Sequence, residues 1–129
     1  MSLIKGKNTR PEQLVPKIVY KLGFRFRLHY SKLPGRPDLA FVKLRKVIFV
    51  HGCFWYWHAE PACRRARIPK SRRDFWLPKL EANRVRDEMI QNQLIHRGWE
   101  SLVIWECQLN DRPLLEDRIQ AFLERGRKT

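Results

Sequence analysis

The segment Asp38–His51, which reads DLAFVKLRKVIFVH, predicts two adjacent β-strands joined by a short turn. Its first half, Asp38–Val42, is largely apolar, and its second half, Lys46–Val50, ends in four consecutive apolar residues. A short apolar run without alternation is typical of a strand that is covered on both faces. We therefore expect Lys46–Val50 to be a central strand of the sheet.

The segments on either side of this strand pair predict a mixed sheet flanked by helices, because the apolar spacing changes between the helical and the strand period. No repeat, low-complexity tract or linker interrupts the pattern, so we expect one domain over residues 1–129. The further predicted elements are a helix opened by the capping box Thr9–Glu12 and ended by Gly23, a half-buried strand at Phe24–Tyr30, a helix from about Pro78 to Arg97, a buried strand at Leu102–Cys107 and a helix at Leu114–Arg125.

The charge of the chain favours a polyanionic partner. There are 27 Lys and Arg residues against 13 Asp and Glu residues, which gives a formal net charge of +14. Such a surplus on a small domain creates a field that attracts nucleic acid. A ribosome-like structural protein or a merely basic, soluble surface are the alternatives that charge alone leaves open.

The N-terminal residues and the cysteines predict a cytoplasmic protein. Met1–Thr9 has no apolar segment of the kind found in signal peptides, and no stretch is long and apolar enough to cross a membrane. Thiols stay reduced in the cytoplasm. The three cysteines are therefore expected to be buried apolar residues or metal ligands rather than a disulfide framework.

Soft metal ligands border a long loop, Cys53–Arg73. Cys53, His58 and Cys63 lie in or next to it, and Cys107 follows much later. Two cysteines, a histidine and a third cysteine can form a closed tetrahedral zinc site, which would fix the loop to the sheet. The alternative for Cys107 is a buried thiol.

The same loop combines adjacent aromatic residues with a dense run of cations. Phe54–Trp57 are four consecutive aromatic residues, Arg64–Arg73 contains six positive charges in ten residues, and Phe75 and Trp76 follow. Cations contact phosphates, and aromatic rings stack on bases or wedge between base steps. We interpret this segment as a nucleic-acid surface, with core packing as the alternative for Phe54 and Trp76.

Three further polar residues lie where the pattern predicts burial or a strand end. Asp38 and His51 flank the strand pair, where a carboxylate, a strand carbonyl and a histidine could place a magnesium ion and an activated water at a phosphodiester. The alternatives are a turn aspartate and a satisfied core histidine. Asp87 shares a helix face with Leu80 and Leu94, so it points inward, either as a site residue or as the partner of an arginine.

These motifs resemble the very short patch mismatch repair endonucleases. The matching blocks are Lys7–Glu12, Pro34–Asp38, Ile48–Trp55, Phe75–Leu77, Asn83, Arg86–Asp87 and Ile104–Cys107. The resemblance implies a restriction-endonuclease-like, three-layer α/β/α fold with a central mixed sheet and a zinc-bound loop. It also implies an endonuclease of mismatch repair that nicks duplex DNA at or near thymine–guanine mismatches by magnesium-dependent hydrolysis.

By this resemblance, Asp38 binds magnesium together with the main-chain carbonyl of Val50, and His51 takes the position of the usual catalytic lysine. Glu12 and Asp87 match further acidic site residues, which act through metal-bound water.

One catalytic position departs from the family. Tyr56 stands where the family usually has a histidine that helps to activate water. A tyrosine, whose pKa is ordinarily about 10, is a poor base at neutral pH. The alternatives to the mismatch endonuclease are therefore a nuclease without mismatch specificity and a zinc-stabilised DNA-binding module without catalysis.

The remaining matched residues hold zinc or face DNA. The zinc is structural, because four protein ligands leave no open position for a substrate. The zinc ligands are Cys53, His58, Cys63 and Cys107, and the expected DNA-binding residues, from the resemblance and from the basic run, are Phe54, Trp55, Trp76, Arg64, Arg65, Arg67, Lys70, Arg72 and Arg73.

Overall fold

The structure is a computed structural model that describes residues 11–53 and 72–125. Within those ranges, the order of the elements confirms the predicted succession of helices and strands and adds a 3-10 helix. The elements are α1 (Pro11–Lys21), β1 (Arg27–Leu28), β2 (Leu39–Phe41), β3 (Lys46–His51), α2 (Arg73–His96), β4 (Glu100–Trp105), the 3-10 helix (Glu106–Asn110) and α3 (Arg112–Glu124).

The sheet is mixed, as predicted, and its strand order is β1-β2-β3-β4. The pairs β1–β2 and β2–β3 are antiparallel, whereas β3 and β4 are parallel, with His51 opposite Trp105. A parallel pair needs a long crossover connection, and α2 lies in that connection. Strand β3 has neighbours on both sides and is buried over most of its length, which confirms its predicted central position.

Helices cover both faces of the sheet. On one face, α1 and α3 pack with Ile48 and Ile104 in one apolar cluster. On the other face, Leu94 of α2 packs with Val47, whose side chain alternates with that of Ile48 along β3. This layering is compatible with the predicted restriction-endonuclease-like fold. The inward residues predicted for α3 are confirmed as buried: Leu115, Ile119, Phe122 and Leu123.

The predicted strand at Phe24–Tyr30 is wrong in its extent. Only Arg27–Leu28 pairs with β2, and Leu28, predicted to face inward, is 52% exposed. Phe24 and Phe26 instead lie against Phe41, with ring centroids 6.5 and 6.3 Å apart. Because contact with one large ring satisfies both phenylalanines, the alternation reflects packing on Phe41 rather than a long ladder.

Helix α2 begins at Arg73, earlier than the predicted start near Pro78. Proline has no N–H to donate, which made it a natural place to start the helix. Here Pro78 lies inside the helix and removes a single backbone hydrogen bond close to its start. The early start places Phe75 and Trp76 on the first turns of α2, whereas the sequence pattern places them between the loop and the helix. No helix in residues 11–53 or 72–125 is long and apolar enough to cross a membrane.

The N-terminal end of β3 holds the C-terminal end of α3. Lys46 is 4% exposed, and its ammonium donates to the carbonyl oxygens of Phe122 and, at 2.5 Å, Arg125. The last carbonyls of a helix lack partners within the helix, so a buried cation can satisfy them. Glu100 lies 3.8 Å from the same ammonium. Burial lowers the pKa of Lys46, and Glu100 only partly opposes that effect.

Candidate active site

Asp38 is fixed against the C-terminal end of β3. Its carboxylate oxygen Oδ2 accepts a hydrogen bond from the main-chain N–H of Val50 at 2.7 Å. Its own carbonyl oxygen accepts from the N–H of His29 at 3.0 Å. A turn aspartate would be expected to bond within its own turn. Asp38 instead reaches across to β3, which places its carboxylate beside the strand residues predicted to share the site.

The turn before Asp38 packs closely against α2 and needs a glycine. Gly35 has a φ of +77°, a left-handed conformation that favours glycine. A Cβ atom at this position would lie 2.6 Å from Ile90 Cγ2 and 3.2 Å from Phe49 Cε1. The turn that leads into β2 therefore lies close to α2, the helix that supplies Asp87.

His51 and Asp87 form a hydrogen-bonded pair at this end of the sheet. Nε2 of His51 lies 2.9 Å from Oδ1 of Asp87, and His51 is 3% exposed. The imidazole ring packs against the ring of Trp105, at a centroid distance of 5.4 Å, and against that of Phe49, at 5.7 Å. Asp87 thus points inward as predicted, and its partner is a histidine rather than an arginine.

The surroundings of Asp87 keep its carboxyl group ionised. Burial raises its pKa, but the hydrogen bond and the charge of His51, together with a hydrogen bond from Gln91, bring the pKa below the ordinary 3.8. An ionised carboxylate only accepts hydrogen bonds. Nε2 of His51 is therefore the donor in this pair, which makes Nδ1 the basic nitrogen of the neutral ring.

Two residues that the sequence reasoning missed extend this pair. Gln91 Nε2 donates to Asp87 Oδ1 at 3.3 Å, and the Ser101 hydroxyl donates to Gln91 Oε1. Gln91 follows Asp87 by four residues, a spacing that places both side chains on one face of a helix. That spacing could have indicated Gln91, whereas Ser101 lies on β4 and no sequence pattern pointed to it.

The start of α2 forms a basic and aromatic surface. Phe75 is 46% exposed, with the guanidinium of Arg72 4.7 Å and the ammonium of Lys79 5.1 Å from its ring centroid. Trp76 meets Phe75 edge to face at 5.0 Å. Arg72, Arg73 and Trp76 were predicted to face DNA, and Lys79 was missed because it lies beyond the dense basic run.

Two of the four predicted zinc ligands lie next to each other. The main-chain N–H of Cys107 donates to Sγ of Cys53 at 3.4 Å, and Cys53 is buried. The sequence predicts Cys107 as the last residue of a strand, but Cys107 lies in the 3-10 helix that follows β4. In the part of the chain that the structure describes, no three His, Cys, Asp or Glu side chains form a group suited to a metal ion.

The other predicted site residues fall outside the described residues. Glu12 belongs to α1, but the placement of its side chain is not described. The predicted residues between 54 and 71 are the catalytic candidate Tyr56, the zinc ligands His58 and Cys63, and the DNA-binding residues Phe54, Trp55, Arg64, Arg65, Arg67 and Lys70.

Comparison with known proteins gives one consistent result. The family DNA mismatch endonuclease Vsr matches residues 1–63. The type II nicking enzyme V.XorIIP of Xanthomonas oryzae pv. oryzae is 47% identical over 96% of this chain and 89% of its own length. The type II nicking enzyme V.NmeAIP of Neisseria meningitidis is 40% identical over 95% and 86%. The DNA mismatch endonuclease Vsr of Escherichia coli K12 is 38% identical over 97% and 77%.

The mixed α/β fold, the polar site at the end of β3 and these relatives define the class of protein: it is a DNA endonuclease, a hydrolase of phosphodiester bonds. The chain belongs to the DNA mismatch endonuclease Vsr family, whose enzymes act in mismatch repair. The resemblance stated from the sequence motifs is thereby confirmed.

Proposed function

We propose that this endonuclease nicks duplex DNA at or near thymine–guanine mismatches by magnesium-dependent hydrolysis. The observation that carries the proposal is the placement of the Asp38 carboxylate against Val50, directly before the buried His51–Asp87 pair. The Asp38 carboxylate thus lies against the main chain of Val50, the residue that directly precedes the oriented histidine. The names of the relatives, which include nicking enzymes and a mismatch endonuclease, support the same reading.

The donors at this end of the sheet fit magnesium in kind. Asp38 offers a carboxylate and Val50 a main-chain carbonyl, both hard oxygen donors. Magnesium is usually held by only one or two carboxylates, with water and substrate phosphate supplying the rest, so a large protein cluster is not required. When bound, the ion would stabilise negative charge on the phosphate and make water more acidic.

His51 is the proposed proton-transfer group. Asp87 accepts a hydrogen bond from the Nε2–H group of His51 and so orients the ring. In this orientation Nδ1 is the nitrogen that would take a proton from the attacking water. The flanking rings of Trp105 and Phe49 restrict the ring further and limit access of bulk solvent. Because His51 and the acidic groups supply the proton transfer, Tyr56→Phe should change the rate only slightly.

The proposed DNA-binding residues are those of the basic segment 64–73 and of the start of α2. Arg72 and Lys79 place two cations around the exposed ring of Phe75. Cations in this arrangement can contact phosphates while the adjacent aromatic rings face the bases. Neutralising Arg64, Arg65 and Arg67 should weaken binding to matched and mismatched duplexes alike and flatten its salt dependence.

Asp38→Asn tests the proposal. The amide keeps an oxygen that can accept from Val50, but it removes the charge that would bind the metal. Nicking of a thymine–guanine duplex in magnesium should fall below detection, while binding to the same duplex persists. Asp117→Asn, at an exposed position on α3, is the matched control and should leave nicking unchanged.

The substrate arm of the experiment compares mismatched and matched duplexes of the same sequence. Equal nicking of both would indicate a nuclease without mismatch preference. Full activity of the Asp38 variant, or full activity after chelation of divalent ions, would contradict the proposed chemistry.

We further propose that Cys53, His58, Cys63 and Cys107 hold a structural zinc ion. The support from the described residues is the contact between Cys107 and the sulfur of Cys53, since ligands of one tetrahedral ion must lie close together. Cys63→Ser should release zinc and lower the melting temperature. Purified enzyme without zinc in elemental analysis would show this assignment to be wrong.

A further inference from the structure

We propose that Gln91 and Ser101 are positioning residues for the cleavage reaction, which hold Asp87 so that it fixes the His51 ring. The inference rests on the proposed role of His51 and extends it to two residues that lie outside the predicted site. The hydrogen bonds run from the Ser101 hydroxyl to Gln91 Oε1, from Gln91 Nε2 to Asp87 Oδ1, and from His51 Nε2 to the same oxygen.

The direction of each hydrogen bond is determined by chemistry. Asp87 is ionised and can only accept, so the amide of Gln91 must turn its NH₂ group towards it. The amide oxygen of Gln91 then faces away from Asp87, and the Ser101 hydroxyl donates to it. Asp87 thus determines which way the Gln91 amide faces, because a flipped amide would place two oxygens against each other, and the Ser101 hydroxyl holds the amide oxygen in that position.

The network connects three elements of the fold. Asp87 and Gln91 belong to α2, His51 to β3 and Ser101 to β4. Ser101 lies opposite Val47 in the parallel ladder, and Trp105, on the same strand, lies opposite His51 and packs on its ring. Strand β4 therefore constrains the His51 ring in two ways. Trp105 packs on the ring directly, and Ser101 acts indirectly through Gln91 and Asp87.

Burial makes the network suited to positioning. Asp87, Gln91 and Ser101 are all partly buried, so water can replace the lost hydrogen bonds only incompletely. A single hydrogen bond leaves a carboxylate free to rotate about its side-chain torsions, whereas a second donor at the same oxygen restricts it. Loss of Gln91 should therefore widen the range of orientations that Asp87 and His51 adopt.

The first test compares Gln91→Leu with Gln93→Leu, the same substitution at an exposed position of α2. Gln91→Leu should lower kcat roughly 10-fold, a loss typical of removing a hydrogen-bond partner that orients an active-site group, without changing the Kd for DNA. Gln93→Leu should leave both quantities unchanged. A kcat equal to that of the parent enzyme in Gln91→Leu would overturn the inference.

A double-mutant cycle with Asp87→Ala tests whether Gln91 acts through Asp87. If it does, Gln91→Leu has no further effect on kcat once Asp87 has been removed. An undiminished effect in that background would mean that Gln91 acts in another way. Ser101→Ala should show part of the loss of kcat seen in Gln91→Leu. Ser101→Thr, which keeps the hydroxyl, should keep the kcat of the parent enzyme.

A spectroscopic measurement separates this inference from the proposed function. In the folded enzyme without substrate, Gln91→Leu and Asp87→Ala should both shift the ring nitrogen resonances of His51, and Gln93→Leu should not. If Asp87→Ala left the nicking rate unchanged, the catalytic role of the pair would be wrong, yet these shifts would still report the positioning. Unshifted His51 resonances in Gln91→Leu would overturn the positioning itself.

Discussion

Strand β3 carries a buried polar side chain at each end, and the two are satisfied in different ways. Lys46, at the N-terminal end, is surrounded by fixed main-chain oxygens at the end of α3. His51, at the C-terminal end, is paired with the carboxylate of Asp87. In the part of the chain that the structure describes, these are the two polar side chains that are buried.

The difference lies in what the partner can do. Main-chain carbonyls neither titrate nor move independently of the helix, so the role of Lys46 is to hold the end of α3 against the sheet. The Asp87 carboxylate carries charge and lies on a different helix, so it can orient the imidazole and stabilise its protonated form. Lys46 does have an ionised neighbour, Glu100, at 3.8 Å, but the Glu100 side chain is largely exposed, whereas the oxygens of Phe122 and Arg125 that accept from the ammonium are main-chain groups. We infer that a buried polar residue serves chemistry when a partly buried ionised side chain is its hydrogen-bond partner, and structure when main-chain groups are.

Among changes at the two ends of β3, the largest expected effect is the loss of activity in His51→Ala. The nicking rate should fall by about 10²–10⁴-fold, the range for losing a general acid–base group, with little loss of fold. His96→Ala, an exposed histidine on α2, is the control and should behave as the parent enzyme. The comparison of the two ends would fail if His51→Ala unfolded the protein but left the rate per folded molecule intact.

Lys46→Met should give the converse result. It leaves the carbonyls of Phe122 and Arg125 without their buried donor, so the free energy of unfolding in urea should fall by about 2 kcal/mol. The nicking rate per folded molecule should not change. Lys43→Met, at an exposed lysine in the turn before β3, is the matched control. A Lys46 variant as stable as this control would show that the cation is not needed to hold α3.

Sequence periodicity was sufficient for the elements that bury one apolar face. The inward residues of helix α3 follow the helical period and could be predicted from it, and the uninterrupted apolar run of β3 likewise predicts a strand covered on both faces. Asp87 could be placed inward for the same reason, seven residues from Leu80 and from Leu94. The predicted extent of strand β1 is wrong because Phe24 and Phe26 pack on a single distant ring, that of Phe41. Local alternation in the sequence does not encode such a tertiary contact.

In the candidate site too, the sequence indicates individual residues but not the tertiary contacts between them. The sequence indicated Asp38, His51 and Asp87, and the family resemblance gave them roles. It could not show that His51 is the partner of Asp87, since the two residues are brought together only by the crossover of α2 onto the sheet. Ser101 and Lys46 lie on mainly apolar strands, and their partners come from elements distant in the sequence, which no local pattern indicates.

The smallest expected effect is the dependence of stability on pH at the two ends. Both groups have a lowered pKa: that of Asp87 lies below 3.8 because the donors around it outweigh burial, and that of Lys46 lies below 10.5 because of burial. In each case the unfolded chain binds the proton more tightly, so stability rises with pH between the folded and unfolded values. The two groups should act at opposite ends of the pH range.

The measurement is the free energy of unfolding of the parent enzyme relative to Asp87→Asn and to Lys46→Met. The contribution of Asp87 is fully present above 3.8 and should shrink as the pH falls through that value. The contribution of Lys46 should grow as the pH rises towards 10.5, because the neutral amine is no longer penalised by burial and can still donate to both carbonyls. A Lys46 contribution that declined over the same alkaline range would mean that its charge, rather than its hydrogen bonds, holds α3. The Lys46 end of β3 would then depend on an ionised group just as the His51 end does, and the distinction between them would have to rest on the mobility of the partner alone.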